Sequence, residues 1–159
     1  MNTGIIYQGL LRHSAKMNCI LMSLKPIFAE EILNGKKKCE IRTYLGNILE
    51  NDLILIYESK PIKAITGYFH AGKVIITTPH ELPKILNNTI CNEMPEDNIE
   101  YIIKNYMKPK PRKIIIIQIT QPTRLTKTIT ITQLKKMKIK IPRSYTRLNN
   151  EKCKNILKE

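Results

Sequence analysis

Pro26 and Gly35 bracket a helix inside the segment MSLKPIFAEEILNGKKKCEIR, residues 22 to 42, and together they leave the backbone little choice. Proline suits the first turn of a helix, where its missing N–H has no partner to lose, and glycine suits the place just past the last turn, where φ > 0 is wanted. A helix is therefore expected over residues 26 to 34. Phe28 and Ile32 are one turn apart, as are Ala29 and Leu33, so the helix carries a buried stripe while Glu30, Glu31 and Asn34 face water. A strand over residues 18 to 24 precedes it, and a charged strand follows Gly35 without a spare residue. The period of two puts Lys38, Glu40 and Arg42 on one face of that strand and Cys39 and Ile41 on the core face. Lys37 would share the core face of a regular strand, a costly place for a charge, so it is expected in the turn or beside a cleft, where it meets Glu40.

Gly35, Lys37, Glu40 and Arg42 fit the G-x-K-x-x-E-x-R signature of the ASCH domain family, named for homology to activating signal cointegrator. The lead-in SLKPIFAEEILNG resembles that family's strand and helix, IYESKPIKAITGYF (Ile56 to Phe69) resembles its following hairpin, and IPRSYTRL near the C-terminus is similar to its closing segment. The resemblance covers residues 18 to 148, with 1 to 17 as an N-terminal extension and 149 to 159 as a C-terminal helix or tail. It implies an α+β, mainly β, PUA-like fold: a small β-barrel flanked by helices, with a cleft around the signature residues that is proposed to hold RNA or a nucleotide.

At 159 residues and 42% apolar content, one domain with one core is the natural reading. The formal net charge of +14 favours a polyanionic partner, nucleic acid first. A lysine-rich, isoleucine-rich and asparagine-rich composition also follows from an A·T-rich genome, but composition does not explain the segregation of charge. Acidic residues stop at Glu100 and return at Glu151, and thirteen cations lie between them, from Lys104 to Arg147. A phosphate backbone is attracted to such a field with strong salt dependence, though phosphate contacts position a protein without reading bases. Cys19, Cys39, Cys91 and Cys153 form no C-x-x-C pair, so neither a metal nor any other cofactor is expected, and reduced thiols with Cys19 and Cys39 as buried small hydrophobes fit best. No secretory signal or membrane-length apolar run is visible. The expected location is cytoplasmic or nucleoid-associated, not secreted, with no membrane partner.

Further along, residues 44 to 51 read as a loop and LILIYES after Asp52 as a strand. A turn at residues 59 to 61 leads into a long β-pattern over 62 to 77, whose Gly67 and Gly72 mark bulges or sharp corners. A short helix is expected over 79 to 87 and a longer one over 95 to 107. The run RKIIIIQIT is the strongest strand, buried on both faces and placed centrally. A separate strand over 126 to 132, a short turn or helix over 134 to 137 and a terminal helix over 149 to 157 complete the pattern.

Candidate nucleic-acid ligands are Lys37 and Arg42 in the cleft, oriented by Glu40, with Lys25 at the mouth of the helix as a second phosphate contact. Arg42 is the better bidentate partner. Tyr57 and Tyr68 on adjacent strands and Tyr44, on the face of Arg42, are candidates to stack on an unpaired base; Tyr145 is harder to place. The leading function is a nucleic-acid-binding, RNA-binding module, with a possible regulatory role. The alternative is a small hydrolase acting on a modified nucleoside, as some ASCH amidohydrolases of acetylcytidine do, or a ribonuclease, with Lys37 and Glu40 catalytic. Those amidohydrolases carry a threonine at the place of Glu40, and this sequence departs from them there. A protein-binding regulator that uses its charge only for solubility ranks last.

Overall fold

Among the described residues, runs of isoleucine and leucine separated by turn residues build a curled half-barrel of six strands, packed with helices. In this computed structural model, which describes residues 17–81, 84, 91, 104–105 and 112–158, β1 (Cys19–Leu24) leads through α1 (Pro26–Leu33) into β2 (Cys39–Thr43). Then come β3 (Leu53–Glu58), β4 (Ala64–Thr77), a 3-10 turn (Pro79–Glu81), β5 (Ile114–Thr130), α2 (Ile131–Lys136), β6 (Tyr145–Leu148) and α3 (Asn150–Lys158). The spatial order is β2-β5-β4-β3-β1-β6, so β2 and β6 are the two edges. The β1–β3 pair is parallel, with α1 inside its crossover, and the other neighbours are antiparallel.

The sheet buries side chains on both faces. On one, Leu21, Leu55, Tyr57, Ile65 and Tyr68 pack under Leu134 of α2 and Ile156 of α3. On the other, Ile20, Ile54, Phe69, Ile115 and Ile117 pack under Ala29 and Ile32 of α1. The mainly β, PUA-like architecture expected from the sequence is the one found. Ile114 to Ile117 are all buried in a strand flanked on both sides, as four consecutive isoleucines require.

Two strand expectations change. The run after Lys113 and the alternating segment 126 to 132 are one bent strand, β5, because a bulge carries the chain through Gln121 (φ 51) and Pro122. Between the pairs His70↔Thr120 and Tyr68↔Thr123, β5 takes one residue more than β4, so the proline needs no ladder N–H. The last residues of the expected strand belong to α2, since Thr130 and Gln133 form a capping box that starts the helix at Ile131. Most of the expected helices over 95 to 107 and 79 to 87, and residues 1 to 16, lie outside the described residues.

Gly67 sits at the register shift after Ile65 on β4, directly beneath α1. A Cβ there would lie 2.5 Å from the Thr123 carbonyl oxygen and 2.6 Å from Leu33 Cδ2, so backbone as well as side chain must give way. Gly67→Ala is expected to destabilise the fold by about 1–3 kcal/mol, read as a lower urea midpoint.

The cysteines are not the free thiols the sequence suggested. Cys19 pairs with Cys153 and Cys39 with Cys91, across separations of 134 and 52 residues, and among the described residues no cysteine is free. Spacing carried no sign of this. Cys19 and Cys153 meet because β1 and α3 pack into the same core.

Candidate functional site

The site begins at the end of α1. Asn34 N–H donates to Glu30 O (2.9 Å) and Gly35 N–H to Ile32 O (3.0 Å), and Gly35 takes φ +77. The N–H groups of Lys36 and Lys37 then both reach the Glu31 carbonyl at 2.9 and 3.0 Å. This tight wrap, open to glycine without strain, folds the chain back so that Lys37 Nζ lies 4.4 Å from the centroid of the Phe28 ring.

β2 leaves the turn paired with β5, with Glu40 opposite Ile117 and Arg42 opposite Ile115. Directly opposed residues share a face, and Ile115 and Ile117 belong to the core beneath α1. Glu40 and Arg42 therefore point into the half-barrel, while Lys38 is exposed and Cys39 and Ile41 are buried on the other side. Lys37 Nζ lies 2.9 Å from Glu40 Oε1, and Arg42 Nε and Nη2 each donate to Glu40 Oε2 at 3.2 Å. The side chains of Lys37, Glu40 and Arg42 retain 6%, 5% and 14% exposure, so the first two are enclosed and the third is the group nearest solvent. Burial pushes the Glu40 carboxyl up, but the Lys37 and Arg42 charges and their hydrogen bonds outweigh it and hold the group below its usual range.

Arg42 also closes the fold. Its Nη1 donates to Ser144 Oγ at 3.2 Å and its Nη2 to the Ser23 carbonyl, which ties the β2 edge to β1 and to the residue that enters β6. Ser144 is fixed in turn, since Ser23 N–H donates to Ser144 O (2.8 Å) and Ser23 Oγ to Pro142 O (2.7 Å). Tyr145 makes a second tie: its hydroxyl accepts from Leu45 N–H (2.7 Å) and donates to Gly46 O (2.9 Å). Burial is the largest influence on that phenol and holds its pKa above the usual value. The signature residues thus line a seam between the two sheet edges.

Of the other candidates, Tyr44 is half-buried beside this seam, its N–H on Lys113 O (2.9 Å) and its hydroxyl donating to Asn47 Oδ1 (2.7 Å). Lys25 is exposed at the start of α1, two residues beyond the Ser23 carbonyl that Arg42 grips. Tyr57 and Tyr68 are not brought to the seam; both are buried in the opposite core, Tyr68 edge-on to His70 at 6.1 Å. Phe28, Ser23, Ser144 and Tyr145 were not anticipated as members of the site, and the available signal for the last two was the IPRSYTRL segment. Among the described residues, no group of three or more histidine, cysteine, aspartate or glutamate side chains converges to hold a metal, and no helix is long and apolar enough to cross a membrane.

Residues 22–158 match the sequence family of the ASCH domain. The chain belongs to that family. ASCH domains are PUA-like and are often linked to RNA binding. Among solved structures, the ASCH protein of Zymomonas mobilis is 20% identical and covers 87% of this chain and 93% of its own at a TM-score of 0.73. The N-terminal domain of Staphylothermus marinus McrB (11% identical, 87% and 92% covered, TM-score 0.55) and a hypothetical protein from Leishmania major (13%, 90% and 94%, TM-score 0.54) share the architecture. At these identities the likeness is one of fold. No curated protein matches the sequence.

Proposed function

We propose that this ASCH domain binds RNA and receives one unpaired nucleotide at the mouth of the seam. The observation that carries this reading is a charged group with two cations to one carboxylate, locked by hydrogen bonds, whose least buried member, Arg42, stands two residues before Tyr44, a half-buried aromatic packed against the core that holds Tyr145. A guanidinium has five N–H groups, and four hydrogen bonds to Glu40, Ser23 and Ser144 leave Arg42 one Nη1 proton for a ligand acceptor. The Ser144 hydroxyl, which accepts from Arg42, keeps its own proton for the same purpose. Lys37 and Glu40 act from beneath as positioning residues: they hold the guanidinium plane and do not touch the ligand. Tyr44 offers a stacking face, and Lys25 a phosphate contact at the entrance.

The geometry weighs against the hydrolytic alternative. A general base works best with its pKa near the working pH, whereas Glu40 is held ionised below the ordinary carboxylate range with both oxygens engaged.

A short fluorescein-labelled single-stranded RNA should bind in an anisotropy titration, with affinity falling steeply as salt rises. Tyr44→Ala should weaken it roughly 5- to 150-fold, the range for one lost base–aromatic stack. Absence of binding at low salt sinks the reading, and an unchanged affinity in Tyr44→Ala removes the stacking role.

A further inference from the structure

The seam accounts for one nucleotide, yet most of the chain's positive charge lies elsewhere. From Leu134 to Leu148 the burial pattern is regular: Leu134, Ile139, Tyr145 and Leu148 are buried and Ile141 packs against the core, whereas Lys135, Lys136, Lys138, Lys140, Arg143 and Arg147 are all exposed. Each apolar residue anchors the chain inward and so turns its charged neighbours out. No aspartate or glutamate occurs between residues 101 and 150, and among the described residues the ion pairs involve Lys37, Arg42 and Arg124, none of these six. Arg124 shows the contrast: it too is exposed, but Glu30 at 2.7 Å and Asn34 at 2.8 Å occupy it.

The basic segment is also held in place. Ile139 N–H donates to Leu134 O (3.0 Å) and Lys138 N–H to Lys135 O (3.0 Å), which closes the end of α2. Pro142 O and Ser144 O both accept from Ser23, and Ser144 Oγ accepts from Arg42. The chain that carries the cations therefore ends at the seam itself.

We propose that the connection from α2 into β6 is a phosphate-binding ridge, along which the backbone of a single-stranded RNA lies while one of its nucleotides enters the seam. The proposal rests on the RNA-binding reading and extends it from a one-nucleotide mouth to a track of defined position. Charge complementarity selects the partner: six exposed cations that pair with no carboxylate among the described residues fit a polyanion, and their anchored backbone lets contacts form with little ordering of the protein. A lipid surface is a poorer fit, because the apolar residues between the cations point into the core and offer nothing to insert.

The test compares a ridge variant, in which Lys135, Lys138, Lys140 and Arg143 are replaced by glutamine, with a control in which Lys60, Lys73, Lys84 and Lys127 are replaced likewise. Both remove four exposed charges, and unchanged thermal unfolding checks that both fold. With a fluorescein-labelled oligouridylate, each phosphate contact on a single strand contributes about 0.7 to the slope of log affinity against log salt. The ridge variant should lower that slope by roughly 2 to 3, and the control by less than about 1. Equal losses in both variants, or an unchanged slope in the ridge variant while the wild type binds, overturn the ridge and leave RNA binding standing. No binding by the wild type overturns both. Equal or tighter wild-type binding to phosphatidylserine vesicles or to duplex DNA overturns single-stranded RNA as the occupant.

Discussion

Glu40→Gln will destabilise this protein by about 3–5 kcal/mol and lower its melting temperature by on the order of 10 °C. The substitution keeps the shape of the side chain and removes its charge, so Lys37 and Arg42 remain enclosed with like charges and no counter-ion. Leaving one side of a buried ion pair uncompensated is far more damaging than the net worth of the pair would suggest. Lys37→Met should be milder, because Glu40 keeps both bonds from Arg42 and the new side chain can still lie along the Phe28 ring. Calorimetry on the three proteins decides this: if Lys37→Met proves as damaging as Glu40→Gln, the carboxylate is not the keystone. The pH dependence has a defined sign. Glu40 has a lowered pKa in the fold, so its contribution is complete above the ordinary carboxylate value of about 4.3 and is lost as pH falls through that value toward the folded one. Thermal melts from neutral pH downward should therefore show a shallower acid loss for Glu40→Gln than for the wild type. Equal acid slopes would contradict an ionised Glu40.

Breaking the Cys19–Cys153 bond is the second large effect expected. It closes a loop of 134 residues, and the chain-entropy relation assigns a cross-link of that span about 5 kcal/mol. Cys153 lies on α3 beside the buried Ile156 and Leu157, so the bond also fastens the last helix to the central strands. Cys153→Ser, or a reductant such as dithiothreitol, should lower the melting temperature by roughly 10–20 °C. A thiol titration of the folded, unreduced protein should find Cys19 and Cys153 unreactive. Titration of both as free thiols, or melting indifferent to the reductant, would refute the pairing.

The parts of the site that were legible in the sequence are the ones set by near neighbours. Pro26 and Gly35 fix the limits of α1 through local sterics, so the helix expected over residues 26 to 34 is found within a residue. Lys37 reaches Glu40 because the turn between them is short. Gly67 and Gly72 were expected to bend the long strand, and the register of β4 shifts at both. What misled was alternation read too simply. Lys38, Glu40 and Arg42 share a face by period, yet α1 lies over Glu40 and Arg42 and leaves Lys38 in water. Tyr57 and Tyr68 looked like base-stacking candidates because strand aromatics near a basic cleft invite that reading. Both faces of β3 are buried, and Tyr57 there and Tyr68 on the neighbouring β4 pack into one core.

By itself the sequence determined the family, the order of most elements, the turn that presents Lys37 and the segregation of positive charge into the C-terminal third. These depend on backbone sterics, side-chain period and composition, all of which act over a few residues or none. Only the tertiary structure decided that Arg42 grips Ser23 and Ser144, 19 and 102 residues away, that Tyr145 pins the loop after β2, and that the cysteines pair. The physical reason is closure. When a curled sheet brings its first and last edges together, the partners across the seam are set by strand order and curvature, which no local run of residues encodes.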